Sequence, residues 1–166
     1  ARSNTVNTGG KDPTVLQLLS AIGKTIDKRY AKDPRALMSL HSTLGEVYGG
    51  LGKHDQALSH LKKADALGKK RAGEKNVEHA KNFRLLGSLY AVKGKQADAM
   101  KALNQAKTIY ESAGAANSVD YAATLNQLAW LYKKRHQYDK AEPLFKKTIA
   151  TLTGGSGAAA VIVSDG

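Results

Sequence analysis

Residues 44–64, LGEVYGGLGKHDQALSHLKKA, decide the reading of this chain because the same pattern returns twice at a constant spacing. Leu44, Gly45, Tyr48, Ala57, Leu61 and Ala64 recur as Leu86, Gly87, Tyr90, Ala99, Leu103 and Ala106, and again as Leu128, Ala129, Tyr132, Ala141, Phe145 and Thr148, each time 42 residues on. A fixed period without insertion means one supersecondary unit copied and stacked. Within each copy the apolar residues lie three or four apart, so each group occupies one face of a helix. Between the groups stands Gly52 or Gly94, where a left-handed residue ends the first helix, followed by Asp55 or Asp98 at the start of the second. Each copy is therefore a hairpin of two helices, here termed A and B. Gly45 and Gly87, with Ala57 and Ala99, mark where the two must approach closely.

Leu–Gly–x–x–Tyr in helix A followed by Ala–x–x–x–Leu/Phe–x–x–Ala in helix B resembles the tetratricopeptide repeat. The 42-residue period, against about 34 for the usual unit, is similar to the kinesin-light-chain variant, and residues 124–152 carry that likeness most fully. His41 and Leu125 stand where the family keeps a tryptophan, His136 replaces the loop glycine, and Thr148 the last alanine. The run from DPTVLQLLSAIGKTIDKRY into HSTLGEVYGGLGKHDQAL also resembles repeat regions of large bacterial signalling proteins, including membrane-anchored serine/threonine kinases. The resemblance implies an all-α, right-handed tetratricopeptide solenoid of about seven antiparallel helices. It also implies a non-catalytic interaction module, a segment of a larger signalling or adaptor protein. It favours the cytoplasm, with an extracytoplasmic region of a membrane-anchored protein as the alternative.

Along the chain, residues 1–11 read as a flexible leader, 12–31 as a capping half-repeat, 34–70, 76–112 and 118–152 as three repeats in one domain spanning 12–153, and 154–166 as a tail. Lys11–Asp12–Pro13 and Lys32–Asp33–Pro34 each set Asp at an N-cap and Pro at the first helical position. Asn76 and Ser118 announce the next two helices A. Val15, Leu19 and Ile22 lie 42 residues before Ala57, Leu61 and Ala64, so the first helix is in phase with helices B and is read as a cap for the stack. In the tail, Val161–Ile162–Val163 could fold back on the last helix or enter a neighbouring molecule.

The absence of cysteine excludes disulfides and thiolate chemistry. No run of residues is long and apolar enough for a membrane helix. The net charge of +12 favours anionic partners through salt-sensitive attraction, although many of the lysines sit near helix C-termini, where they complement the dipole. Gly23–Lys24–Thr25 ends like a phosphate loop, but the glycine required five residues earlier is Leu18. His41, His54, His60, His79 and His136 form no zinc-binding spacing and read as structural. No metal, cofactor or catalytic pair is expected.

Candidate binding residues lie opposite Leu44 and Tyr48 on helix A. The first copy supplies Ser42 and Glu46, the second Lys81, Arg84 and Ser88, the third Asn126, Trp130 and Lys133. In the family this face lines a concave groove. Trp130 suits a recognition anchor. Asn126 matches the groove asparagine of kinesin light chains, placed to hold a peptide backbone. Lys81, Arg84 and Lys133 would draw carboxylates. The expected ligand is an extended acidic peptide. Nucleic-acid binding through the basic surface and self-assembly through the stack ends or tail are the rival readings. Ser42 and Glu46 break the carboxylate clamp that other tetratricopeptide proteins use for chaperone C-termini.

Overall fold

The computed structural model describes residues 14–70 and 76–154. Seven helices and no strands are found among them: α1 (Val15–Arg29), α2 (Pro34–Gly50), α3 (His54–Lys69), α4 (Val77–Val92), α5 (Gln96–Ser112), α6 (Val119–Lys134) and α7 (Tyr138–Leu152). The leader, residues 71–75 and Val161–Ile162–Val163 lie outside the described residues. No described helix is long and apolar enough to cross a membrane.

Helix starts follow local chemistry. The Asp33 carboxylate accepts from the Arg35 and Ala36 amides with Pro34 at the first position, Asn76 accepts from Glu78, and Ser118 from Tyr121. Each such cap contributes about 1 kcal/mol. The first helix departs from expectation, because its cap is Thr14 and not Asp12, in a reciprocal box with Gln17. A Thr three residues ahead of Gln can satisfy two orphan amides at once.

Helices A and B pair as α2/α3, α4/α5 and α6/α7, and the signature residues explain how. A Cβ placed on Gly45 would come within 2.5 Å of the Leu61 side chain and 3.3 Å of the Ala57 carbonyl. On Gly87 it would meet Leu103 at 2.5 Å and the Ala99 carbonyl at 3.3 Å. Ala57, Leu61, Ala64, Ala99, Leu103 and Ala106 are all buried along these seams. The signature tyrosines serve the turns as well, since their carbonyls accept from Lys53, Lys95 and Gln137, the residues just past each turn. Gly52 (φ 69°) and Gly94 (φ 73°) supply the left-handed residue there, and His136 (φ 55°) holds the same conformation in the third hairpin.

Successive units join through helix B of one and helix A of the next, and each joint carries a carboxylate held by an aromatic donor and a lysine. At the first joint His41 Nε2 lies 2.8 Å and Lys63 Nζ 2.6 Å from Asp27. At the second, His79 Nε2 lies 3.1 Å and Lys69 Nζ 2.6 Å from Asp65. At the third, the Tyr121 hydroxyl donates to Glu111 at 2.6 Å, with Lys107 at 3.2 Å. Buried Asn82 adds a stitch, accepting from Ser42 at 3.2 Å and donating to the Leu61 carbonyl at 3.1 Å. Helix α2 also contacts α4, and α4 contacts α6, while no such contact joins α3 to α5 or α5 to α7. Helices A therefore crowd the inner side of a curved stack and helices B its outer side.

Helix α1 takes the helix-B place ahead of α2. Ile26 and Gly23 are buried and Leu19 is half-buried, but Val15 and Ile22 are exposed. Helix α1 thus stands ahead of the three hairpins as a half-repeat, with part of its apolar face exposed. What holds α1 is its other side. His41, fully buried, bridges Asp27 and the His60 imidazole, whose Nδ1 is 3.0 Å from His41 Nδ1, and His60 stacks on Tyr48. With Nε2–H donated to Asp27, the His41 Nδ1 lone pair accepts from His60.

Three predictions rest on this packing. Gly87→Leu overpacks the second seam and should cost about 1–3 kcal/mol in far-UV circular dichroism melts, whereas Gly50→Ala, where a Cβ meets nothing within 4 Å, should leave the melting temperature unchanged or raised. His136→Gly removes a left-handed strain of about 1–2 kcal/mol less the cost of glycine's freedom, and should raise the melting temperature.

The third concerns pH. Burial holds both His41 and His60 below the ordinary imidazole value of 6.5. The groups facing them are Asp27 from α1, Tyr48 from α2 and Lys63 from α3. Below that value the unfolded chain binds protons that the folded one refuses, so stability is lost as pH falls. Asp27, held below its ordinary 3.8 by the Lys63 hydrogen bond, adds a further loss at lower pH. Melts taken from about pH 8 to about pH 5 should fall, and His41→Phe, which installs the residue that Phe83 supplies one unit later, should flatten the dependence on this site.

Candidate peptide groove

The inner surface formed by α2, α4 and α6 is where the candidate residues belong, and their side chains divide into three groups. Ser42 leaves the groove altogether: it is buried, and its hydroxyl is spent on Asn82. Position 42 is the point at which α2 touches α4, so a small residue is drawn inward there. Lys81 and Arg84 are in the groove but already have partners. Lys81 Nζ lies 3.2 Å from Glu46, and Arg84 lies 2.9 Å from Asp120 on α6. Arg84 is only 13% exposed, and its guanidinium also faces the buried Tyr110 hydroxyl. Burial pushes Tyr110 up to about 12, so its proton stays on. Arg84 thus acts first as a rivet between units.

Asn126, Trp130 and Lys133 make up the third group. Asn126 is half-buried, and its side-chain amide has no hydrogen-bond partner among the described residues. Trp130 is 49% exposed, packs edge-on against Phe145 at 5.9 Å, and carries Lys133 Nζ 4.6 Å above its ring. The indole face is thereby covered by a cation and its position is set from below by Phe145.

Beside these lies a feature that the sequence reading missed. A cleft of about 180 Å³ opens between α2, α3 and α4, lined chiefly by Gly45, Gly49, Ala57, Leu89 and Val92 with Glu46, Ser88 and His54 at its polar points. Its surface is predominantly apolar. His54 Nδ1 is buried and without a partner there. One period later the positions of Gly49, Gly50 and Ser88 are held by Ala91, Val92 and Trp130. The first unit thus carries smaller side chains at these three positions than the next unit does. The visible signal was Gly49–Gly50 directly after Tyr48, a pair that the other copies lack.

No group of three or more His, Asp or Glu among the described residues is arranged to hold a metal ion. His41, His60 and Asp27, scattered in sequence, do come together, but they are spent on one another at the first joint.

A stack of A/B hairpins with an inner groove defines a helical-repeat module. Models of the tetratricopeptide repeat match residues 36–112 and 122–153, and the chain belongs to that family. The repeat is in general a non-catalytic module for protein partners. No curated protein matches the chain. Among solved structures it is similar to BtubC (BKLC) from P. vanneervenii, with a TM-score of 0.70 at 19% identity over 87% of this chain and 60% of that one. The likeness shows the fold, a kinesin-light-chain-like solenoid, and this chain spans about 60% of BtubC's length. MamA aligns over 87% of this chain and 98% of its own at 18% identity, but a TM-score of 0.38 carries no argument.

Proposed function

We propose that this module takes an extended acidic peptide along its inner groove, with an apolar side chain of the peptide in the cleft between α2, α3 and α4. The observation that carries the reading is the cleft itself. It is predominantly apolar, its lining includes Glu46 and Ser88 from the groove columns, and Gly49, Gly50 and Ser88 are small where the next unit carries Ala91, Val92 and Trp130. Burying one large apolar side chain there would supply about 1.5–3 kcal/mol, and His54 Nδ1 offers a hydrogen bond to a polar edge. Trp130 gives a second apolar contact, and the free amide of Asn126 suits a peptide backbone group.

Acidic character enters through Lys133, which has no carboxylate partner among the described residues, and through the net charge of +12. Lys81 and Arg84 contribute less, since a ligand carboxylate must compete there with Glu46 and Asp120. Charge then governs the rate of encounter and the apolar contacts govern residence.

A peptide library screened by the fluorescence of Trp130, the only tryptophan, should return acidic peptides with one bulky apolar residue. Calorimetry on the hits should show affinity falling with salt. Ser88→Trp plugs the cleft with the residue found one period later and should weaken binding by at least about tenfold, and Trp130→Ala should weaken it at every ionic strength. Should both variants bind every hit as tightly as the parent chain, the groove is not the site.

A further inference from the structure

Among the described residues, no helix lies on the seam face of α1. Counting by the 42-residue period, Val15, Leu19 and Ile22 stand in the columns of Ala57, Leu61 and Ala64 in α3 and of Ala99, Leu103 and Ala106 in α5. All six of those residues are buried beneath helix A of their own hairpin. In α7, Ala141 and Thr148 are buried under α6 in the same way. In α1, Val15 is 63% exposed and Ile22 48%, and neighbouring Leu18 is 42% exposed. At about 100° per residue these three side chains fall within about 60° of one another, forming a single apolar stripe along the helix. Ile26 and Leu19 continue the same face, about 20° and about 40° beyond Val15, but pack onto the first hairpin.

We propose that this stripe is a docking surface for one amphipathic helix of helix-A chemistry supplied by a partner. The interface continues one that the chain already makes three times. In each hairpin the B-type face is covered by an antiparallel helix carrying a small residue, Gly45, Gly87 or Ala129, between aliphatic and aromatic neighbours. Val15 and Ile22 are bulkier than the alanines in their columns, so the incoming helix needs small residues opposite them. Arg29 lies on the same stripe at its C-terminal end, within about 20° of Ile22. An antiparallel partner begins its first turn at that end. The chain's own helices α4 and α6 carry acids in that turn, Glu78 and Asp120, and an acid there in the partner would meet Arg29. Because the Asp27–His41–His60 chain and Ile26 hold α1 on the first hairpin, the stripe is presented on a seated helix.

The test uses the full 166-residue chain with labelled methyl groups and, as probe, a synthetic peptide of this chain's own residues 76–93, NVEHAKNFRLLGSLYAVK. Saturable shifts at the methyls of Val15, Leu18, Leu19 and Ile22 are expected. Ile22→Glu, at a half-exposed position that leaves the melt unchanged, should weaken binding by at least about tenfold. A probe with Glu78→Lys should bind more weakly than the parent probe, and the difference should shrink with salt. No shift at near-millimolar peptide, or shifts confined to the α2/α4 cleft, would overturn the proposal. Shifts of the same α1 methyls with protein concentration alone, tracked by light scattering, would mean that a second copy covers the stripe, and would overturn the partner helix as its occupant.

Discussion

The contact between Gly45 and Leu61, repeated between Gly87 and Leu103, sets the separation of the helices on which everything else is built. A hydrogen at the glycine Cα lets the leucine side chain and the alanine carbonyl of helix B come against the backbone of helix A. Once that distance is set, the tyrosine one turn later closes the seam, and its carbonyl receives the first amide beyond the turn. Packing and turn geometry thus reinforce each other through the same five residues. In the third hairpin Ala129 and His136 stand where glycines stand in the others, and the left-handed backbone at His136 records the mismatch.

The joints between hairpins are built on a different principle. Each uses a carboxylate gripped by an aromatic donor and a lysine, yet the acids, Asp27, Asp65 and Glu111, are not in one column of the repeat. The apolar seams tolerate little variation because they are close-packed. Joints require only that some acid reach some donor, and long side chains can meet that condition from several positions. This freedom explains why the first joint came to include two histidines and a pH dependence that the other two joints lack in that form. It also explains why the groove cations are partly consumed: Arg84 and Lys81 tie unit to unit before they can serve a ligand.

Function follows from what the stack leaves uncovered. Along the inner side, small residues in the first unit leave a cleft at positions where the second unit carries larger side chains, so units built on one pattern differ in the surface they present. At the N-terminal side, a B-type helix without its helix A leaves an apolar stripe whose shape is defined by three occupied counterparts. Both features come from departures between copies, and the regular pattern alone contains neither.

The hairpins, their boundaries and their pairing were legible in the sequence because period, helical spacing, caps and turn glycines are local signals that all agree. Asp33, Asn76 and Ser118 cap the helices they were expected to cap. The candidate groove was legible only as a set of columns. A column shows which side of a helix a residue is on, but Ser42 was drawn into the contact between α2 and α4, and Arg84 found Asp120 on a neighbouring unit. The union of His41, His60 and Asp27, and the cleft beside Gly49 and Gly50, depend on how far apart units settle and on which side chains meet across them. These are distances between segments remote in sequence, set by the summed packing of the stack, and only the tertiary structure decided them.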